Sequence, residues 1–192
     1  MKLLKKVFTA FVLVCLIACS RNENAADQLV PKGAKPEGKR EYGPINPTVL
    51  DLPQEVIQTL GGKDIDGKPL SKAYIYFKSF NLVVYRDSFD AKNYIESIAG
   101  AFAQLSGNKA FTDAADIWAI QMQARGTSNL VVMALNPTQA KGYAESKNIQ
   151  KLLLDADYLM INDKIIPPAE RMDYYTGKTA APVPQGFSPS RR

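Results

Sequence analysis

The side chains that could do chemistry in this 192-residue chain are few, and their types exclude most reactions. There is no histidine. That removes Ser-His-Asp and Cys-His hydrolases, His-ligated zinc and every imidazole acid or base. The two cysteines are Cys15 and Cys19, so a zinc ribbon, a thioredoxin-type CxxC and a stapling disulfide are excluded too. Gly62-Lys63-Asp64-Ile65-Asp66-Gly67-Lys68 matches GxxxxGK. Pro69 stands where a phosphate loop needs Ser or Thr, and Asp64 and Asp66 would repel phosphate. Read as a calcium loop, the same stretch places Gly62 and Ala73 where the first and last carboxylates belong. A surface turn is expected there. Asp155, Asp157 and Asp163 cluster near the last expected strand, and solvated positions are expected for all three. Trp118 alternates with Ile120 and Met122, which points to core. Ser71-Lys72 and Ser146-Lys147 do not form an SxxK at a helix start. No catalytic residue, metal ligand or cofactor site is assigned, and the chain is expected not to be an enzyme.

Cys19 is the exception. Lys2, Lys5 and Lys6 precede residues 7–17, which are apolar but for Thr9. That run is too short to span a bilayer and has the length of a signal-peptide core. It ends in Leu16-Ile17-Ala18-Cys19, and a polar stretch begins at Ser20. This order resembles the signal peptide and lipobox of bacterial lipoproteins. The resemblance covers about the first 20 residues only. It implies that the Cys19 thiol is diacylglycerylated, that the peptide is cut before it, and that the new amine is acylated. Cys15 follows Val14 and lacks the small preceding residue. Several acyl chains anchor stably where one holds only marginally. In the enteric pattern an Asp after the cysteine retains the protein in the inner membrane. Ser20 therefore implies the outer membrane, with the body facing the periplasm.

Four segments are expected. Residues 1–18 are a signal peptide, 19–47 a lipidated disordered tether, 48–175 a single domain and 176–192 a disordered Pro-rich tail. A flexible tether of that length reaches roughly 30 Å. The chain has 24 basic and 19 acidic side chains, yet residues 48–175 hold 13 basic and 15 acidic ones. The basic excess belongs to the flanks, so the body lacks the basic balance of a nucleic-acid domain and no nucleic-acid partner is expected.

Within the body, apolar spacing predicts a helix over 52–60, stopped by Gly61-Gly62. Residues 72–86 are one bent strand or two, irregular at Lys78-Ser79. A helix over 88–106 follows, with Ser88 as cap and Gly107 as stop. Period-two alternation over 117–124 and the apolar run 130–135 predict a hairpin. Asn136-Pro137 with Gln139 marks a capped helix toward Leu154, breaking near Ser146. A strand over 158–161 turns at Asn162-Asp163 toward Ile165-Ile166. Tyr174-Tyr175 are either a partner contact or a clasp onto the body.

The order β-α-β-β-α-β points to an α+β two-layer sandwich of the split β-α-β, ferredoxin-like kind, with an extra N-terminal helix and strand. Its edge would be strand 117–124, with 80–86 and 130–135 central. The rival is a thioredoxin-like sheet, which needs 112–124 to be helical. Both parities of 82–85 and of 130–135 are apolar, so a second sheet face calls for cover. The 52–60 helix, the 73–77 strand, a partner protein or a second copy are the candidates. The expected function is a non-catalytic interaction component of an envelope assembly of the secretion, conjugation or surface-appendage type. It would be held to the membrane by its acyl chains, with an envelope protein as partner. The alternatives are a periplasmic small-ligand binder or histidine-free enzyme, and an exclusion or immunity lipoprotein.

Overall fold

A computed structural model describes residues 46–184. Cys19, the signal peptide, the tether up to residue 45 and residues 185–192 lie outside the described residues.

Among the described residues, seven strands form one sheet in chain order. They are β1 (Thr48–Asp51), β2 (Lys72–Tyr76), β3 (Ser79–Arg86), β4 (Ile117–Ala124), β5 (Leu130–Leu135), β6 (Tyr158–Ile161) and β7 (Lys164–Ile165). Only β3 and β4 pair in parallel; every other neighbour is antiparallel. The helices are α1 (Gln54–Leu60), α2 (Ala91–Ser106), α3 (Lys109–Ala114), α4 (Pro137–Ser146), α5 (Ile149–Asp155) and α6 (Arg171–Tyr175).

One parity of each strand builds the core. Phe80, Trp118 and Leu135 form one cross-strand row, Leu82, Ile120, Met133 and Leu159 the next, and Val84, Met122, Val131 and Ile161 a third. Each helix adds to the same cluster: Val56 and Leu60 from α1, the Ile95/Ile98/Phe102/Leu105 stripe from α2, Phe111 from α3, Ala140 from α4, Leu152 and Leu153 from α5, and Tyr174 from α6. Helices thus cover one face of the sheet. Phe111 meets Phe80 edge-on, and Phe102 stacks on Trp118.

The α+β class and the 117–135 hairpin are present, but the strand order is not the ferredoxin-like one. Strand β4 is central, bonded to β3 on one side and β5 on the other. Its alternation has a different cause from an edge position. All described helices pack on the other face, so Gln121 and Gln123 stay partly exposed while Ile120 and Met122 enter the core. Residues 117–124 being strand also removes the thioredoxin-like alternative. The irregular point in 72–86 is a two-residue turn at Phe77-Lys78, which divides β2 from β3.

Local signals decide most helix ends. Asn136 and Gln139 form the reciprocal capping box, and Lys147 in the left-handed region separates α4 from α5. Gly61 ends α1 with φ 55° and bonds back to Ile57. The cap of α2 is Asp90, not Ser88. Asp90 Oδ1 accepts from the Asn93 amide at 3.1 Å, while the Ser88 carbonyl is taken by the Tyr94 hydroxyl at 2.6 Å.

Gly62 lets the loop after α1 lie against β3. A Cβ there would overlap Val84 Cγ1 and stand 2.8 Å from the Tyr85 carbonyl oxygen. Gly62→Ala is expected to cost about 2 kcal/mol, as overpacking of a fixed contact does. Urea unfolding of the variant checks this, and an unchanged midpoint would show that the loop moves aside freely.

The C-terminal end is held by Arg171, which is 3% exposed. Its Nη1 donates to the Leu153 and Ala156 carbonyls at 2.6 and 2.7 Å, and its Nε to the Ile166 carbonyl at 3.1 Å. Beyond α6, residues 176–180 are exposed, and Ala181 and Pro182 return to the body. Ala181 packs on the core, and the Pro182 carbonyl accepts from Asn162 Nδ2 at 2.6 Å. Asn162 sits in the β6–β7 turn at φ 47°, and its Oδ1 also accepts from the Leu130 amide at 2.8 Å.

Candidate functional site

The sheet face away from the helices is the largest feature that packing leaves unexplained. From β3 to β6 it carries Ser79, Asn81, Val83 and Tyr85, then Ile117, Ala119, Gln121 and Gln123, then Leu130, Val132 and Ala134, then Tyr158 and Met160. The strand register aligns them in rows, for example Val83–Gln121–Val132–Met160 and Asn81–Ala119–Ala134–Tyr158. None of these positions carries a charge. Val83 is 42% exposed and Ile117 also meets solvent, while Tyr85, Leu130, Tyr158 and Met160 are half-buried. Val132 is only 2% exposed despite facing this side.

Several polar groups of the face are already bonded. Gln121 Nε2 donates to Gln123 Oε1 at 3.2 Å, Gln123 Nε2 to the Thr127 carbonyl at 2.8 Å, and the Tyr158 hydroxyl to Met160 Sδ at 3.1 Å. A surface whose strand positions carry no charge and present Tyr and Met has the composition of an interface core. The intramolecular covers expected from the sequence do not cover it. Helix α1 packs on α2 within the helix layer, and residues 72–76 extend the sheet sideways.

A concave feature is an open polar cleft of about 460 Å³ at the C-terminal end of β3. Gly61, Lys63, Arg86, Asp87, Asp90 and Asn93 are among its walls. Arg86 Nη1 donates to Asn93 Oδ1 at 2.6 Å, and its guanidinium lies over the Tyr94 ring. Asp90 is spent as the α2 cap. Burial, with smaller contributions from Asp90 and Asp87 and against the effect of Arg86, raises the Tyr94 hydroxyl pKa. The Tyr94 hydroxyl, held protonated and bonded to the Ser88 carbonyl, is a structural group.

The sequence-level candidates separate in space. The GxxxxGK match folds as a turn: Asp64 Oδ1 accepts from the Lys68 amide at 2.8 Å, and Lys63 exchanges backbone bonds with Tyr85. Asp155 pairs with Lys151, Asp157 accepts from Gln139, and Asp163 occupies the β6–β7 turn. Among the described residues no group of three acids and cysteines is arranged to hold a metal ion. Trp118 is fully buried core. Tyr174 and Tyr175 clasp the body. Lys164 Nζ donates to the Tyr174 hydroxyl, and the Tyr175 hydroxyl donates to Glu96 Oε1, each at 2.8 Å. Burial first, then the Glu96 hydrogen bond, push the Tyr175 pKa up to about 12. Arg171 gave no warning in the sequence, since a lone arginine after Pro167-Pro168 reads as surface.

No protein family, curated protein or solved structure matches the chain. No helix among the described residues is long and apolar enough to cross a membrane.

Proposed function

We propose that the chain is a lipid-anchored, non-catalytic interaction component of a bacterial envelope assembly. Cys19 carries the anchor at the outer membrane, the body faces the periplasm, and the uncharged face of β3–β6 receives an envelope protein. The observation that carries this is that face. It spans four strands without a charge, and all helices of the described residues lie on the other side. Two further features support it. In the polar cleft Asp90 is engaged as the α2 cap and Arg86 is bonded to Asn93, and the absence of histidine and of body cysteines leaves few catalytic chemistries open. Burial of such a face by a partner removes apolar area from water without stranding a charge.

The parity of β5 says where to test it. Val131 is core and Val132 faces the candidate interface, but both are buried. Val83 is the better probe because a charge there remains solvated in the free protein. Val83→Glu is expected to leave the melting temperature within about 2 °C, as exposed substitutions do, and to remove the partner that co-purifies with the wild type after mild detergent extraction. Retention of that partner by the folded variant would place the interface elsewhere.

A further inference from the structure

The β2–β3 turn is built in an unfavourable way for folding alone. Tyr76 pairs with Ser79, so the loop has two residues, Phe77 and Lys78, at φ 49° and 59°. Two consecutive left-handed residues make the hairpin turn that normally takes Asn-Gly. A bulky side chain at positive φ is a strained choice. The Phe77 ring gains nothing from the core in return, being 83% exposed. It is also not isolated. Tyr76 is 43% exposed and Tyr74 50%. Ile117 continues the row Tyr76–Ser79–Ile117 across the sheet, and Val49 lies opposite Tyr74.

The same end of the sheet is where the chain enters the body. Thr48 pairs with Ile75 and Asp51 with Lys72, so β1 starts beside the turn and runs away from it. Charge there is balanced, with Lys78 Nζ 3.8 Å from Asp116 Oδ1. A projecting Phe-Lys turn flanked by Tyr76 is the composition that settles at a membrane–water interface. A flat protein-binding surface would not need a projecting, strained aromatic.

We infer that the Phe77 turn, with Tyr74 and Tyr76, is a lipid-contacting tip that dips into the membrane carrying the anchor and fixes the body's orientation on it. This rests on the lipid-anchor reading above. The neutral charge balance makes the contact one with the acyl boundary rather than with anionic headgroups, so phosphatidylcholine suffices as the probe surface. The lipidated full chain carrying Phe77→Trp is reconstituted into phosphatidylcholine vesicles with and without brominated acyl chains. Trp118 is buried, and the wild type supplies its background. The expected result is a blue shift and loss of most of the added indole emission in brominated vesicles. The same chain carrying Ile65→Trp, exposed in the loop beside Tyr85 at the opposite end, is expected to lose none. A chain that does not float with vesicles overturns both the anchor and the tip. A Phe77→Trp chain that floats while its added indole emits unshifted and unquenched overturns the tip alone. So does equal quenching at positions 65 and 77, which would mean no fixed orientation.

Discussion

Cys19→Ala is expected to abolish incorporation of radiolabelled palmitate and to leave uncut precursor, while Cys15→Ala does neither. The effect should be all-or-none, because the acyl chains need a thiol nucleophile and the cut is made at the modified cysteine. Both steps are what the resemblance of Leu16-Ile17-Ala18-Cys19 to a lipobox implies. The controlling difference between the cysteines is the preceding side chain, Ala18 against Val14. Anchoring should follow the label, since a stably held protein needs more than one acyl chain. Normal labelling of the Cys19→Ala chain would remove the anchor from the proposed function.

Arg171→Leu should produce the largest loss of stability. Three backbone carbonyls, those of Leu153, Ala156 and Ile166, receive its donors in a buried site. Leucine fills part of the space and donates nothing. A buried acceptor left unpaired costs about 1–3 kcal/mol. Relief of the guanidinium's own desolvation offsets part of this; burial lowers the Arg171 pKa, with Asp157 acting the other way. The expected net loss is about 3 kcal/mol, or roughly 10 °C in melting temperature for a body of this size. Arg171→Lys should recover only part, because one ammonium cannot reach three acceptors held by a planar fork. Thermal melts followed by circular dichroism decide the matter. A melting temperature for Arg171→Leu equal to that of the wild type would mean that water replaces the guanidinium at no cost.

Titration of Tyr175 gives a second test of the C-terminal end of the body. Its pKa is raised in the folded protein, so its contribution to stability is fully present below about pH 10 and is lost as pH rises toward 12. The clasp of Tyr175 on Glu96 should therefore loosen first under alkali. The difference in melting temperature between the wild type and Tyr175→Phe is the measurement, and it should shrink as pH rises from 10 toward 12.

Local chemistry was legible in the sequence wherever a few adjacent residues settle it. The Asn136–Gln139 capping box, the Gly61 stop and the α2 stripe depend on neighbours within a turn or two of helix, and each folds as its spacing indicates. The turn at the GxxxxGK match and the exposed Asp155 and Asp157 were legible for the same reason. Partner choice between strands was not. The alternation in 117–124 reports that one face of that strand meets water, and both an edge strand and a central strand over an open face satisfy that description. Only the long-range pairing of β4 with β3 and β5 separates them. The roles of Arg171 and of Asn162, Tyr174 and Tyr175 were equally hidden. Their partners lie many residues away, and burial of a polar group depends on which distant carbonyls the fold brings to it. Phe77 shows both sides: its aromatic type is visible in the chain, but its positive φ, its exposure and its place beside the entry of β1 exist only once the sheet has formed.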